Sequence, residues 1–410
     1  MESKTFADNT VSWLRSLLLN TDLNRARTHW GVIVLLLLGF ACLLLGIALP
    51  SSKFYHQLLI PFLWLPTLYL MVRRYGHWRE RLSPVFLFSL AFLAWSAMSL
   101  AWGQAEDPGQ ESKHMLLIFL TLVAGLFLYQ VPTGGLEAVL RLASYVMAAL
   151  AVVCMVTAYI LYELPFSFRL TSFWQLNHPI LASHVFGFFA VALYQMRPHG
   201  QRHRLFWLLA LAALGGFLLF AQSRGVWLAL VASVLLAPLW QKAVFYRWIA
   251  LLAVALTVLV FWLQPDMLVD RGLSYRPELA QLGLELFTAA PWIGIGAGSD
   301  YTLTVAGIGQ SFDHPHNFFI GLAIELGAVG SIIWGCVWGA TLLAGWRCRA
   351  SGLGAALLGI WFFASIAFLT DGDASGLWSK PRELWFLSWI PLLLAISLAA
   401  RKEPNRHSLP

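Results

Sequence analysis

The chain has 410 residues, of which 59% are hydrophobic and 11% charged, with a formal net charge of +7 and a mean hydropathy of +0.70. Average soluble domains carry roughly 25% charged residues. This composition therefore excludes a soluble enzyme, a disordered chain and a secreted disulfide scaffold, and leaves a polytopic membrane protein.

Crossing a bilayer takes about 20 apolar residues as a helix, whereas a membrane barrel alternates in segments of about ten. Runs such as LLLLGFACLLLGIAL are continuous, so the expected fold is all-α. Expected spans, in chain order, are 30–49, 54–72, 84–102, 115–131, 142–162, 179–196, 205–220, 225–240, 248–263, 317–343, 353–370 and 384–400. That is about twelve transmembrane helices in a single integral membrane domain, 1–410.

Lys and Arg set the orientation. With the N-terminus inside, the cytoplasmic segments 1–29, 73–81, 132–141, 197–204, 241–247, 346–350 and 401–410 hold most of them. The remainder are Lys53, Lys113, Arg169, Arg224, Arg271, Arg276, Lys380 and Arg382. Both termini are therefore expected in the cytoplasm, and Arg73, Arg74, Arg79 and Arg81 read as a topology anchor, not a nucleic-acid patch. The first 29 residues lack the order of a cleavable signal peptide. Cys42, Cys154, Cys336 and Cys348 fall in spans or at a cytoplasmic end, so neither a disulfide framework nor a cysteine metal site is expected, only packing.

Most loops are short, and segment 264–316 is the long external exception. Within it Arg276-Pro277-Glu278 opens a short helix with Pro at the first helical position, and Leu279, Leu282, Leu286 and Phe287 recur at helical spacing. This helix is expected along the membrane surface or against the bundle, ending at Ala289-Ala290-Pro291. Gly294-Ile295-Gly296-Ala297-Gly298 follows a helix instead of a strand, so it reads as a tight turn back to the membrane and not as a nucleotide loop. Paired broken helices of the transporter kind are not evident.

Ionisable groups near membrane depth carry the chemistry. Arg224, in Gln222-Ser223-Arg224-Gly225, stands beside a helix start where free N–H groups also favour an anion, and Gly225 would let a phosphate oxygen approach the backbone. The alternative is an arginine snorkelling to the interface. Arg276 is a second cation at a helix start, and Arg169 a third on the loop before span six. Arginine forks match phosphate oxygens, so three of them outside suggest a diphosphate site.

Asp313-His314-Pro315-His316-Asn317 lies where the long loop re-enters the membrane. Histidine suits proton abstraction near neutral pH, Asn317 is placed to cap the following helix, and His316 is the preferred general base. His314 and Asp313 are possible supports, and Asp313 a possible carboxylate base. A metal on Asp313, His314 and His316 lacks a complete ligand set, so none is expected. Asp371-Gly372-Asp373 reads first as turn chemistry, with a metal-holding DxD as the alternative. Lys380, Arg382 and Glu383 could extend a cationic mouth or fix a helix at the interface.

The ordered set of Ser223-Arg224-Gly225, Arg276 opening a loop helix, PWIGIGAGSDY and HPHNFFIGLAIELGAVG resembles the O-antigen ligase and polymerase superfamily, as does FRLTSFWQLNHPILAS at 168–183. Two departures stand out: Leu279-Ala280-Gln281 where the family often has an aromatic, and Asn177-His178-Pro179 where it often has Asn-Pro. The resemblance implies an inner-membrane glycosyltransferase facing the periplasm. Its donor would be O-antigen on undecaprenyl diphosphate. A ligase would use a lipid A–core hydroxyl as acceptor, a polymerase another lipid-linked repeat, and KPRELWFLSWIPLLL looks more like the ligase branch. Arg224, Arg276 and Arg169 would hold the diphosphate, and His316 would deprotonate the acceptor in one inverting displacement that needs neither metal nor cofactor. Membrane lipids would surround the chain. A lipid-diphosphate flippase is the non-enzymatic alternative, using the same arginines but no base.

Overall fold

The computed structural model describes residues 27–73, 81–198, 200–263 and 275–401. Arg74, Arg79, Arg271 and the first part of the long loop lie outside the described residues. The chain runs through α1 (Arg27–Leu45), α2 (Ser52–Leu59) and α3 (Leu65–Arg73), the last two joined by a π-helical turn at Ile60–Trp64. Next come α4 (Pro84–Ser99), α5 (Pro108–Leu128), α6 (Thr133–Val156), α7 (Pro179–Gln195), α8 (Gln201–Ala221), α9 (Arg224–Leu236) and α10 (Val244–Leu263). The C-terminal part holds α11 (Arg276–Ala289), strands β1 (Leu303–Val305) and β2 (Gln310–Phe312), α12 (Phe318–Arg347), α13 (Gly352–Thr370), α14 (Glu383–Leu387) and α15 (Trp389–Ala399).

Every segment expected to span is helical. Among the described residues, seven helical stretches are long and apolar enough to cross a membrane, and Pro84–Ser99, Pro179–Gln195, Arg224–Leu239, Val244–Ala255 and Glu383–Ala399 are shorter apolar helices. Caps explain where they begin. Ser51, Ser83, Asp107 and Ser351 each accept a hydrogen bond from the first turn that follows, and Pro84, Pro108 and Pro179 occupy first-turn positions where no N–H is needed.

Cys42, Cys154, Cys336 and Cys348 are all free thiols. Cys154 is buried, but Cys336 is exposed on α12, so packing does not account for it. The short antiparallel hairpin β1–β2 was not expected; it pairs Leu303 with Phe312 and Val305 with Gln310. Leu279 of α11 packs with Leu303 and Val305, with Leu282, Leu286, Tyr301 and Phe312 around them. The apolar stripe of α11 thus finds its partners in this hairpin and in α12, where Gly283 lies against Ile320 and Pro315.

Helix α12 is broken at Gly327, whose φ of 65° and ψ of −169° are non-helical. The break frees two carbonyls and two amides, and the segment 291–296 takes up all four. Ile295 N and Gly296 N donate to Ile324 O and Glu325 O at 2.9 and 2.8 Å, while Ala328 N and Val329 N donate to Pro291 O and Trp292 O at 2.8 and 3.2 Å. Unpaired backbone is costly at membrane depth, so this exchange is what permits the break. Segment 291–298 is therefore a turn, as expected, but one stitched into a helix.

The exchange requires a bare backbone at Gly327, where an added Cβ would stand 2.3 Å from Trp292 O. Gly327→Ala should lower stability by about 1–3 kcal/mol and speed protease cleavage near residues 291–298 in detergent. Unchanged thermal stability and cleavage would contradict this account of the break.

Candidate active site

Three arginines distant in sequence line one pocket of about 110 Å³, together with Ile180, His184, Gln222, Ser223, Gly225, Val226, Thr370 and Asp371. They are Arg169, Arg224 and Arg276. Arg224 is the first residue of α9 and Arg276 the first of α11, and neither N-cap side chain bonds the turn that follows. Two helix N-termini with open N–H groups thus carry the two cations. Arg169 arrives by loop attachment: Leu170 N donates to Phe220 O at 3.0 Å, Arg169 Nε to Ala221 O at 3.3 Å, and Gln222 Nε2 to Ser167 O at 3.2 Å. These bonds fasten the loop before α7 to the turn between α8 and α9. Gln222 turns the chain there with a φ of 53°.

Gly225 also lines the pocket, but close helix packing is what excludes a side chain. An added Cβ would stand 2.5 Å from Thr370 Oγ1 and 2.9 Å from Thr370 Cβ. Its smallness brings α9 against the end of α13, and therefore Arg224 near Asp371.

The turn reading of the DxD triplet is incomplete for Asp371, whose Oδ1 accepts from Gly372 N at 3.0 Å but which also lines the pocket. Asp373 does make ordinary turn bonds, to Ser375 N at 3.0 Å and Ser375 Oγ at 2.5 Å. Asp371 enters the pocket, where its Oδ1 lies 3.0 Å from His316 Nδ1 and its Oδ2 4.0 Å from Arg276. His316 Nδ1 is also 3.1 Å from His314 Nε2, and His314 Nδ1 is 2.7 Å from Asp313 Oδ1. One proton arrangement satisfies the set: His316 Nδ1–H is shared by Asp371 and His314 Nε2, and His314 Nδ1–H donates to Asp313. His316 Nε2 then keeps its lone pair.

His316 does not line the pocket; it stands behind Asp371, with its side chain 26% exposed. A positive φ of 50° holds it in this position, where backbone strain is common at working sites. Asn317 fixes the neighbourhood as expected. Its Oδ1 accepts from Phe319 N and Ile320 N at 3.0 and 3.2 Å, and its Nδ2 donates to Leu369 O at 3.2 Å. The start of α12 is thus tied to the end of α13. Arg382 does not line the pocket, because Glu383 Oε1 accepts from its Nε at 2.7 Å.

His184, 4% exposed on α7, was not singled out in the sequence. Its cue is Ile180 one turn earlier on the same helix face, which points nowhere without the tertiary structure. His314, His316 and Asp371 offer ligand atoms within 4.8 Å of one another and could hold a metal. Arg276 beside Asp371 opposes a second positive charge there, and the three atoms already satisfy one another through protons.

Burial raises the Asp371 carboxyl, but the His316 hydrogen bond and the charges of His184, His316 and Arg276 outweigh it and bring it down to about 2. Asp313 is likewise held below the usual range: modest burial raises it, and the His314 hydrogen bond and charge more than offset that. A carboxyl depressed by folding contributes stability that is complete above its unfolded pKa, near 3.9, and is lost as pH falls through its folded value. The stability difference between wild type and Asp371→Asn in detergent should therefore persist undiminished from pH 8 down to about pH 4 and shrink toward about pH 2. A difference that vanishes near pH 6 would contradict the depressed carboxyl.

Comparison with known proteins gives the family. The profile of the O-Antigen ligase family matches residues 208–335, which include Arg224, Arg276 and His316. The chain is also 31% identical over 406 residues to the O-antigen ligase of Pseudomonas aeruginosa PAO1, covering 96% of this chain and 95% of that protein. Identity at this level across nearly the whole length shows that the chain belongs to the O-antigen ligase family.

Proposed function

We propose that the protein transfers O-antigen polysaccharide from undecaprenyl diphosphate to a sugar hydroxyl of lipid A–core, at the periplasmic face of the inner membrane. The observation that carries this reading is the meeting of Arg169, Arg224 and Arg276 in one pocket bordered by an Asp–His pair. All twelve apolar helical segments would cross the bilayer as one membrane unit. Arg73, Arg81, Arg197, Arg347 and Arg401 sit at helix ends opposite in the alternation to the pocket, which supports cytoplasmic termini.

The arginines and the two helix N-termini would bind the diphosphate and stabilise the charge that develops as the glycosidic C–O bond breaks. Asp371 lines this pocket and is bonded to His316, which does not line it, so the diphosphate and the base would lie close together without competing for one place. Asp371 accepts from Nδ1–H of His316 and so presents Nε2 as the base. The acceptor hydroxyl would give its proton to Nε2 while its oxygen bonds the anomeric carbon. Undecaprenyl diphosphate leaves with the bonding electrons, and configuration inverts. The protons, not a metal, would join His314, His316 and Asp371.

Full-length similarity to a ligase favours transfer to lipid A–core over polymerisation. The break at Gly327 is a feature of transporters, but its freed backbone groups are occupied by 291–298 and do not line the pocket.

The test is transfer by purified protein in the presence of chelator, offering lipid-linked glycan with lipid A–core or with lipid-linked repeats alone. Wild type should glycosylate lipid A–core without added metal, and His316→Ala should lose transfer while retaining donor binding. Chain growth without lipid A–core would make the protein a polymerase. Donor binding with vesicle translocation and no transfer would make it a flippase. Loss of activity on chelation, restored by a divalent ion, would overturn the proton arrangement. Asp371→Asn should lower kcat on the order of 10³-fold by allowing the wrong His316 tautomer, and wild-type kcat in that variant would remove Asp371 from the mechanism.

A further inference from the structure

His184 is a buried side chain that the mechanism above does not use. It lies on α7, 4% exposed, and its ring forms part of the pocket wall beside Arg276 and Asp371. Ile180, four residues earlier and on the same helix face, lines the pocket too, so α7 turns one stripe toward this space. Among the described residues no group hydrogen-bonds the His184 ring; only the charges of Asp371, Glu383, Arg276 and His178 act on it. Glu383 is itself 6% exposed and held by Arg382 Nε at 2.7 Å. Charged groups of both signs therefore surround His184: Arg276 and Asp371 in the pocket wall, and Glu383 with its partner Arg382.

Neither His184 nitrogen is among the buried atoms left without a partner, so the ring, which makes no hydrogen bond among the described residues, keeps its nitrogens open to the cavity. Here the unfilled position faces a cavity whose other polar walls are mainly cationic. An anionic oxygen in the pocket would satisfy a His184 N–H, and the surrounding guanidiniums would supply the remaining charge.

We infer that His184 is a further donor-binding residue, which hydrogen-bonds the phosphate oxygen on which charge develops as the glycosidic bond breaks. The inference rests on the lipid-diphosphate donor proposed above. No proton leaves His184: its neutral ring N–H donates, the acceptor proton goes to His316, and the C–O electrons stay on the departing phosphate. The bound diester carries no full charge on that oxygen, whereas released undecaprenyl diphosphate does. The bond therefore strengthens during the reaction and is felt more by product than by substrate.

The experiment compares wild type, His184→Leu and His184→Asn for donor KM, kcat and inhibition by added undecaprenyl diphosphate, with thermal stability measured in the same preparations. Hydrogen bonds to charged groups are worth enough to give about a ten-fold effect or more. His184→Leu should weaken product inhibition and lower kcat by about that factor, with donor KM little changed, and His184→Asn, which keeps an N–H donor, should restore most of both. Variants with wild-type stability and wild-type inhibition would overturn the inference. Equal impairment of Leu and Asn variants would also overturn it, since packing alone would then explain the site. A wild-type protein that transfers glycan but is not inhibited by undecaprenyl diphosphate refutes His184 alone. One that neither transfers from a lipid-linked donor nor binds the diphosphate removes the proposed function beneath it.

Discussion

Three guanidinium groups share one pocket with a single carboxylate among its lining residues, and the surrounding structure is organised to hold them together. Like charges brought together near a low-dielectric membrane repel strongly and are tolerated only where packing over-determines their positions. Each arginine is accordingly set by backbone. Arg224 and Arg276 open helices, and Arg169 hangs from a loop bonded to the α8–α9 turn. The pocket gathers three separate parts of the chain.

Asp371 connects this charge problem to acid–base chemistry. It faces Arg276 on one side and His316 on the other, so the carboxylate that moderates the arginine field also sets the histidine tautomer. Its position depends on several attachments. Asn317 bonds Leu369 O, Gly225 lets α9 pack against Thr370, and the segment after Asp371 is held by Trp389 Nε1 on Leu377 O at 3.1 Å and His114 Nδ1 with Trp378 O at 2.8 Å. The tryptophan-rich composition thus acts locally: these rings fill space between helices, while the Trp389 N–H anchors the loop after α13.

The parts of the fold that depend on local pattern were legible in the sequence. Continuous apolar runs gave the helices, Pro277 gave the start of α11, and Asn317 announced its cap. The arginines and His316 stood out in the sequence as candidates because ionisable groups are rare and costly in such a chain. Their convergence was not, since nothing local relates Arg169 to Arg276. Asp371 was hidden because Asp-Gly-Asp is ordinary turn chemistry, and Asp373 does behave that way. His184 was hidden inside an apolar helix. The break at Gly327 escaped notice because its partner, 291–298, lies some thirty residues away in sequence and pairs through backbone groups, which carry no residue signature.

The most direct test of the account is a cryo-EM structure of the full-length protein in lipid with an undecaprenyl-diphosphate-linked glycan bound. The account predicts both phosphorus atoms within reach of Arg169, Arg224 and Arg276, with the anomeric carbon turned toward His316 and no ion between His314, His316 and Asp371. A diphosphate bound elsewhere, or one in this pocket whose sugar points away from His316, would contradict it.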